Sequence, residues 1–219
     1  MKKYIIANWK CNKTIAESLE WVDYVGINMT HDYVHEVIVC PPFVALPDVS
    51  GLIKQKGYNI MLGAQSVSHF QDGSHTGEVS ARMLSGICKY ALIGHSERRT
   101  NFGETNENVK AKVINCIQNQ IKPIVLVRDM SDVIPDSVKM FAFEPVGAIG
   151  TGKATDTISA GEAILGFGNG YIGIYGGSVS LENIRSFIDN ASIHGVLIGS
   201  ASLDPVNFVE ILNALHQFG

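Results

Sequence analysis

"KPIVLVRDMSDVIPDSVKMFAFE", residues 122–144, contains two apolar runs and a short polar span between them. The runs KPIVLV (122–127) and KMFAFE (139–144) are continuous rather than alternating. A strand with one wet face alternates apolar and polar residues, whereas a continuous run of this length suits a strand covered on both faces. Eleven residues, RDMSDVIPDSV (128–138), join the two. Pro135 limits any helix there to about one turn after a Ser131 cap. That span is close to the shortest that can connect parallel strands. Working outward, runs of the same kind recur at KYIIAN (3–8), EVIVC (36–40), NIMLG (59–63), YALIG (90–94), YIGIYG (171–176) and GVLIG (195–199). Helix-like stretches separate most of them, among them TIAESLEWVDYV (14–25), NENVKAKVINCIQN (106–119) and SLENIRSFIDN (180–190). Eight strands alternating with helices predict an α/β chain, a single (β/α)8 barrel over residues 1–219 with a reduced fifth β/α crossover. An open doubly wound sheet is the competing fold, but it usually has fewer strands.

Composition narrows the function classes. The chain has 219 residues, 46% of them hydrophobic, enough for one domain with a large core, and no linker-like segment divides it. A net charge of −4 offers no electrostatic footprint for nucleic acid or an anionic membrane. The apolar runs are too short to span a bilayer, and the one in MKKYIIANWK is too short for a signal peptide. Cys11, Cys40, Cys88 and Cys116 form no C-x-x-C pair, so they read as reduced thiols of a cytoplasmic protein rather than as a zinc site or disulfide framework.

In such a barrel the chemistry belongs at the C-terminal ends of the strands. Those ends carry Asn8 and Lys10, Gln65, His95 with Glu97, Glu144, and two glycine-rich turns, YGGS (175–178) and IGSAS (198–202). Glycine-rich turns after the seventh and eighth strands commonly hold phosphate with backbone N–H groups. Ser200, Ala201 and Ser202 are placed to open a short helix before Asp204-Pro205 begins the next. The residues by themselves point to an enzyme acting on a small phosphorylated molecule, with a carboxylate base and an imidazole electrophile.

Seven motifs in order, NWK (8–10), GAQ (63–65), TGEVSARML (76–84), IGHSERR (93–99), EPVGAIGTGK (144–153), YGGSV (175–179) and IGSASL (198–203), resemble the triosephosphate isomerase family. The resemblance runs from the first strand to the last and implies a TIM barrel. It also implies that Glu144 is the base moving a proton between two substrate carbons, and that His95 is a neutral imidazole polarising the carbonyl. His95 opens a helical turn, whose dipole disfavours imidazolium. Lys10 would stabilise negative charge on the substrate, Asn8 would bond near the reacting oxygens, and Glu97 would support the lysine. The phosphate would rest on main-chain N–H groups of Gly150, Ser178, Gly199 and Ser200. Pro145, Val146, Gly147, Ala148, Ile149, Gly150, Thr151, Gly152 and Lys153 would form a lid that closes over the ligand. The resemblance implies no metal and no organic cofactor. It implies a homodimer, with a tetramer as the alternative, in which a long loop (65–78) bearing Thr76 at its tip reaches the partner's Lys10 and His95.

The sequence departs from the family pattern in one neighbourhood. Gly147 stands where the family usually has tryptophan, Phe143 where tyrosine is common, and Arg128-Asp129 where Gly-Glu is common. Ser200 also replaces a common glycine, a change that leaves backbone donation possible. The hinge changes and the reduced crossover are expected to belong together, since a large aromatic loses its packing surface when the neighbouring helix shrinks, giving a more mobile lid. Three functions compete: an active isomerase, a phosphate-binding barrel with other chemistry, and a non-enzymatic binding module. The presence of Lys10, His95 and Glu144 together favours the first.

Overall fold

The computed structural model describes residues 2–30, 33–145 and 155–216. Eight parallel strands close on themselves in sequence order: β1 (Tyr4–Asn8), β2 (Glu36–Cys40), β3 (Ile60–Ala64), β4 (Tyr90–Ile93), β5 (Lys122–Val127), β6 (Met140–Phe143), β7 (Ile172–Tyr175) and β8 (Gly195–Ile198). Tyr4 of β1 pairs with Gly195 of β8, which seals the barrel. Each apolar run of the sequence is a strand, within one residue at either end.

The continuous hydrophobicity of those runs follows from two separate cores. Ile124 and Leu126 of β5, and Met140 and Ala142 of β6, belong to the barrel interior with Ile6, Ile38, Tyr90, Leu92, Ile174 and Leu197. Their neighbours Val125, Val127, Phe141 and Phe143 belong instead to the layer between strands and helices. Both faces are dry, so neither can alternate with polar residues.

Helices α1 (Ile15–Asn28), α2 (Leu46–Lys56), α3 (Ala81–Leu84), α4 (Ser96–Phe102), α5 (Asn106–Gln118), α6 (Thr157–Gly166), α7 (Ile184–Asp189) and α8 (Pro205–His216) surround the strands. α1 begins where Thr14 and Glu17 form a reciprocal capping box, and α5 where Thr105 and Asn108 do the same. α7 starts four residues later than SLENIRSFIDN suggests. The Asn183 side chain accepts from the Ser180 N–H and donates to the Ser178 carbonyl, so 178–183 stays a loop. Side-chain bonds of this kind compete with the helix.

No helix forms in the fifth crossover, and Ser131 caps nothing. Its N–H and hydroxyl both donate to the Asp129 carboxylate, which folds the segment into a turn instead. Cover for the outer face of β6 comes partly from beyond the crossover: Phe167, just past α6, packs its ring 5.0 Å from Phe141 and 6.0 Å from Phe143.

Candidate active site

β1, β3, β4, β6, β7 and β8 deliver the expected residues to one rim. A cavity of about 510 Å³ opens there, lined by Asn8, Lys10, Glu144, Gly176, Ser178, Gly199 and Ser200 among others. That size suits a small ligand. Lys10 and Ser178 both have left-handed backbones, with φ of 53° and 47°. Such conformations are costly for non-glycine residues and cluster at functional sites. Gln65 helps to hold the first: its side-chain amide donates to the Lys10 carbonyl at 2.8 Å and the Cys40 carbonyl at 2.9 Å. Asn8 completes the turn by accepting from the Lys10 N–H.

His95 sits at the N-terminus of α4, where its Nδ1 accepts the Glu97 N–H at 3.1 Å. That nitrogen must present a lone pair, so the neutral ring carries its proton on Nε2. Nε2 lies 3.3 Å from Oε1 of Glu144. The other carboxylate oxygen, Oε2, accepts from the Ser96 hydroxyl at 3.2 Å and the Ser96 N–H at 3.4 Å. Both Glu144 and His95 are buried, at 3% and 4% exposure. Burial pushes the Glu144 carboxyl up, against the lowering effects of His95, the Ser96 bonds and Lys10. A carboxylate with a raised pKa is a stronger base. Lys10 reaches Glu97 at 2.6 Å, so Glu97 is paired with this lysine.

The phosphate-turn residues Ser178, Gly199 and Ser200 share the cavity, and Ser200–Ser202 form a 3₁₀ turn before α8. Pro145 is half-buried beside Glu144. The remaining lid positions 146–153, with Gly147 and Gly150, lie outside the described residues. Thr76 is exposed in the loop after β3.

Two contributors were not singled out from sequence as site residues: Ser96 as the partner of Glu144, and Gly176; Gln65 was read at its strand end, but without its role as a brace. An ideal Cβ on Gly176 would fall 3.0 Å from Cγ of Glu144. Glycine is needed there because the Glu144 side chain occupies the space beside it. Gly176→Ala is therefore expected to displace Glu144 by a few tenths of an ångström and lower kcat about 10-fold, given the ~100-fold cost of a 1 Å misplacement. Steady-state kinetics beside a thermal melt would check this, with Tm little changed.

Comparison with known proteins decides the family. The family model described as "Triosephosphate isomerase" matches residues 3–215. The chain belongs to the triosephosphate isomerase family. The triosephosphate isomerase of Aquifex aeolicus (strain VF5) is 34% identical, over 97% of this chain and 99% of that protein. That of Thermoanaerobacter sp. (strain X514) is 37% identical over 97% and 100%, and that of Mesomycoplasma hyopneumoniae (strain 232) 34% over 97% and 99%. Family membership places the chain among the aldose–ketose isomerases. The Thermoanaerobacter alignment spans 250 positions but only 97% of the 219 residues here, about 212, so roughly 40 positions of that triosephosphate isomerase have no counterpart in this chain. A crossover without a helix accords with that shortening.

Proposed function

We propose that the chain interconverts D-glyceraldehyde 3-phosphate and dihydroxyacetone phosphate through an enediolate. The observation that carries this reading is the Glu144–His95 pair: a buried carboxylate with a raised pKa, 3.3 Å from an imidazole nitrogen that holds its proton. From the aldehyde, the Glu144 carboxylate takes the proton on carbon 2, and the electron pair moves into the carbon 1–carbon 2 bond and onto the carbonyl oxygen. His95 Nε2–H donates to that oxygen as charge develops. Glu144 returns its proton to carbon 1, and His95 recovers one from the oxygen on carbon 2. Atoms and electrons balance without a co-reactant.

Lys10 sits beside the cavity as the cation for substrate charge, with Asn8 near the reacting oxygens and Glu97 bracing the lysine. Ser178, Gly199 and Ser200 receive the phosphate, joined by Gly150 from the lid, and glycine at 199 lets the backbone come close. Closure of residues 145–153 would exclude water from the enediolate. Because Ser96 now holds Oε2, the base must leave that serine to reach a substrate carbon. The role assigned is a step of glycolysis and gluconeogenesis in the cytoplasm, carried out by a homodimer whose loop 65–78 reaches the partner.

Conversion of D-glyceraldehyde 3-phosphate in D₂O tests the reaction and its intermediate together. Dihydroxyacetone phosphate is expected with deuterium at carbon 1, seen by proton NMR. Folded protein that forms no product, or product with no deuterium, would overturn the proposal.

A further inference from the structure

The crossover that lost its helix contains a buried acid. Asp132 is 5% exposed, in the turn between β5 and β6. Its Oδ2 accepts from the Arg128 N–H and Nε, both at 2.9 Å, and its Oδ1 from Arg128 Nη2 at 2.9 Å. Oδ1 also lies 3.3 Å from Nη1 of Arg99, whose side chain is 4% exposed. A guanidinium that deep needs a counter-charge. Among the described residues, the carboxylate within ion-pair distance of Arg99 is Asp132.

Arg99 in turn holds the strand end that carries His95. Its Nε donates to the Gly94 carbonyl at 2.8 Å, and its Nη1 to the Asn106 side chain at 2.9 Å. Gly94 has φ of +80°, and an ideal Cβ there would come within 2.8 Å of Arg99 Nη2. The missing side chain lets the guanidinium lie against the backbone. Asn106 reaches back to the same turn, accepting from the Val133 N–H and donating to the Ser131 carbonyl, each at 3.3 Å. The path from Asp132 to His95 is therefore short: carboxylate, guanidinium, the carbonyl of the preceding residue, imidazole.

We propose that Asp132 is a positioning residue for isomerisation, fixing His95 through Arg99 and the Gly94 carbonyl in place of the support a crossover helix would give. The inference rests on the reading of His95 as electrophile. Without the carboxylate, Arg99 is free to turn toward water or toward another acid, and the peptide leading into His95 loses its anchor. Burial raises the Asp132 carboxyl, but the bonds from Arg128 and the charge of Arg99 outweigh it and hold the group below the usual range. It is therefore ionised at neutral pH, as the pairing requires.

The test compares the native chain with Asp132→Ala, Asp132→Asn and Ser131→Ala. Ser131 lies in the same turn, but among the described residues its hydroxyl bonds to Asp129 alone. Asp132→Ala should lower kcat about 10-fold with KM within twofold, on the scale of a sub-ångström misplacement. Asp132→Asn should fall between it and native, and Ser131→Ala should match native. In NMR spectra of protein labelled at histidine, the His95 resonances should move in both Asp132 variants and stay in place in Ser131→Ala. Should Asp132→Ala fail to fold, Asp132→Asn carries the same comparison. Unmoved His95 resonances, or a lower Tm with native kcat measured well below it, would make Asp132 an anchor of the turn alone. If the native chain does not isomerise, the isomerase reading fails, while the NMR comparison still decides the link to His95.

Discussion

Glu144→Gln lowers kcat by about 1,000-fold, within the range that a positioned general base contributes, and leaves Tm at neutral pH no lower than native. The two expectations have one cause. Burial raises the Glu144 carboxyl, so the folded state disfavours the charge that catalysis uses. For an acid whose folded pKa lies above its unfolded value, stability falls as pH rises from the unfolded value through the folded one. Glutamine removes that penalty at pH 7. Its carbonyl can still accept from Ser96, so the cavity keeps its shape while the proton acceptor is gone. KM should change by less than threefold, because Lys10 and the glycine-rich turns proposed to bind phosphate are untouched. Coupled-assay kinetics beside a thermal melt would read both effects. A variant retaining more than a tenth of native kcat would place the base elsewhere.

Where the sequence was readable, period and neighbourhood made it so. β5 and β6 were legible because residues buried on both faces leave an unbroken apolar run, and closed barrels repeat that pattern eight times. His95 and Glu144 were legible because each stands at the C-terminal end of such a run or just past it. Gln65, Ser96 and Gly176 were harder, because their work depends on what lies across the rim. Gly176 looks like any turn glycine until the Glu144 side chain fills the space beside it. Asp132 was hidden for the same reason. In RDMSDVIPDSV it is one polar loop residue among several, and its burial against Arg99 appears only when β4 and β5 lie side by side. Ser131 misled for a local reason: Asp129, two residues earlier, accepts both of its hydrogens before a helix can begin.

The largest loss of stability is expected from Glu104→Ala, at about 3–5 kcal/mol, the usual cost of stranding one member of a buried ion pair. Glu104 Oε2 accepts from Lys112 Nζ and Arg98 Nε, each at 2.6 Å, and Oε1 accepts the Gly94 N–H at 3.0 Å. Glu104 and Lys112 are buried, at 7% and 3% exposure. Burial raises the Glu104 carboxyl, but Lys112 and Arg98 more than offset it and hold the group below its usual range. Burial pushes the Lys112 ammonium down despite Glu104. The carboxylate is thus the well-compensated partner, and the ammonium is the one left in difficulty when the other goes. Without Glu104, the hydrogen-bond partner left to Lys112 among the described residues is the Ser66 hydroxyl at 3.0 Å, and the Gly94 N–H loses its acceptor. Lys112→Met should cost less, since Glu104 keeps Arg98 and Gly94, and the double variant should recover part of the loss by removing the stranded charge. A carboxyl with a depressed folded pKa contributes stability above its unfolded pKa and loses it as pH falls through the folded one. The gap between native and Glu104→Ala in urea unfolding should therefore be full at pH 7 and shrink below about pH 4, the ordinary glutamate value. A gap unchanged down to pH 3 would mean that the lost packing of the side chain, and not its charge, holds this corner of the barrel.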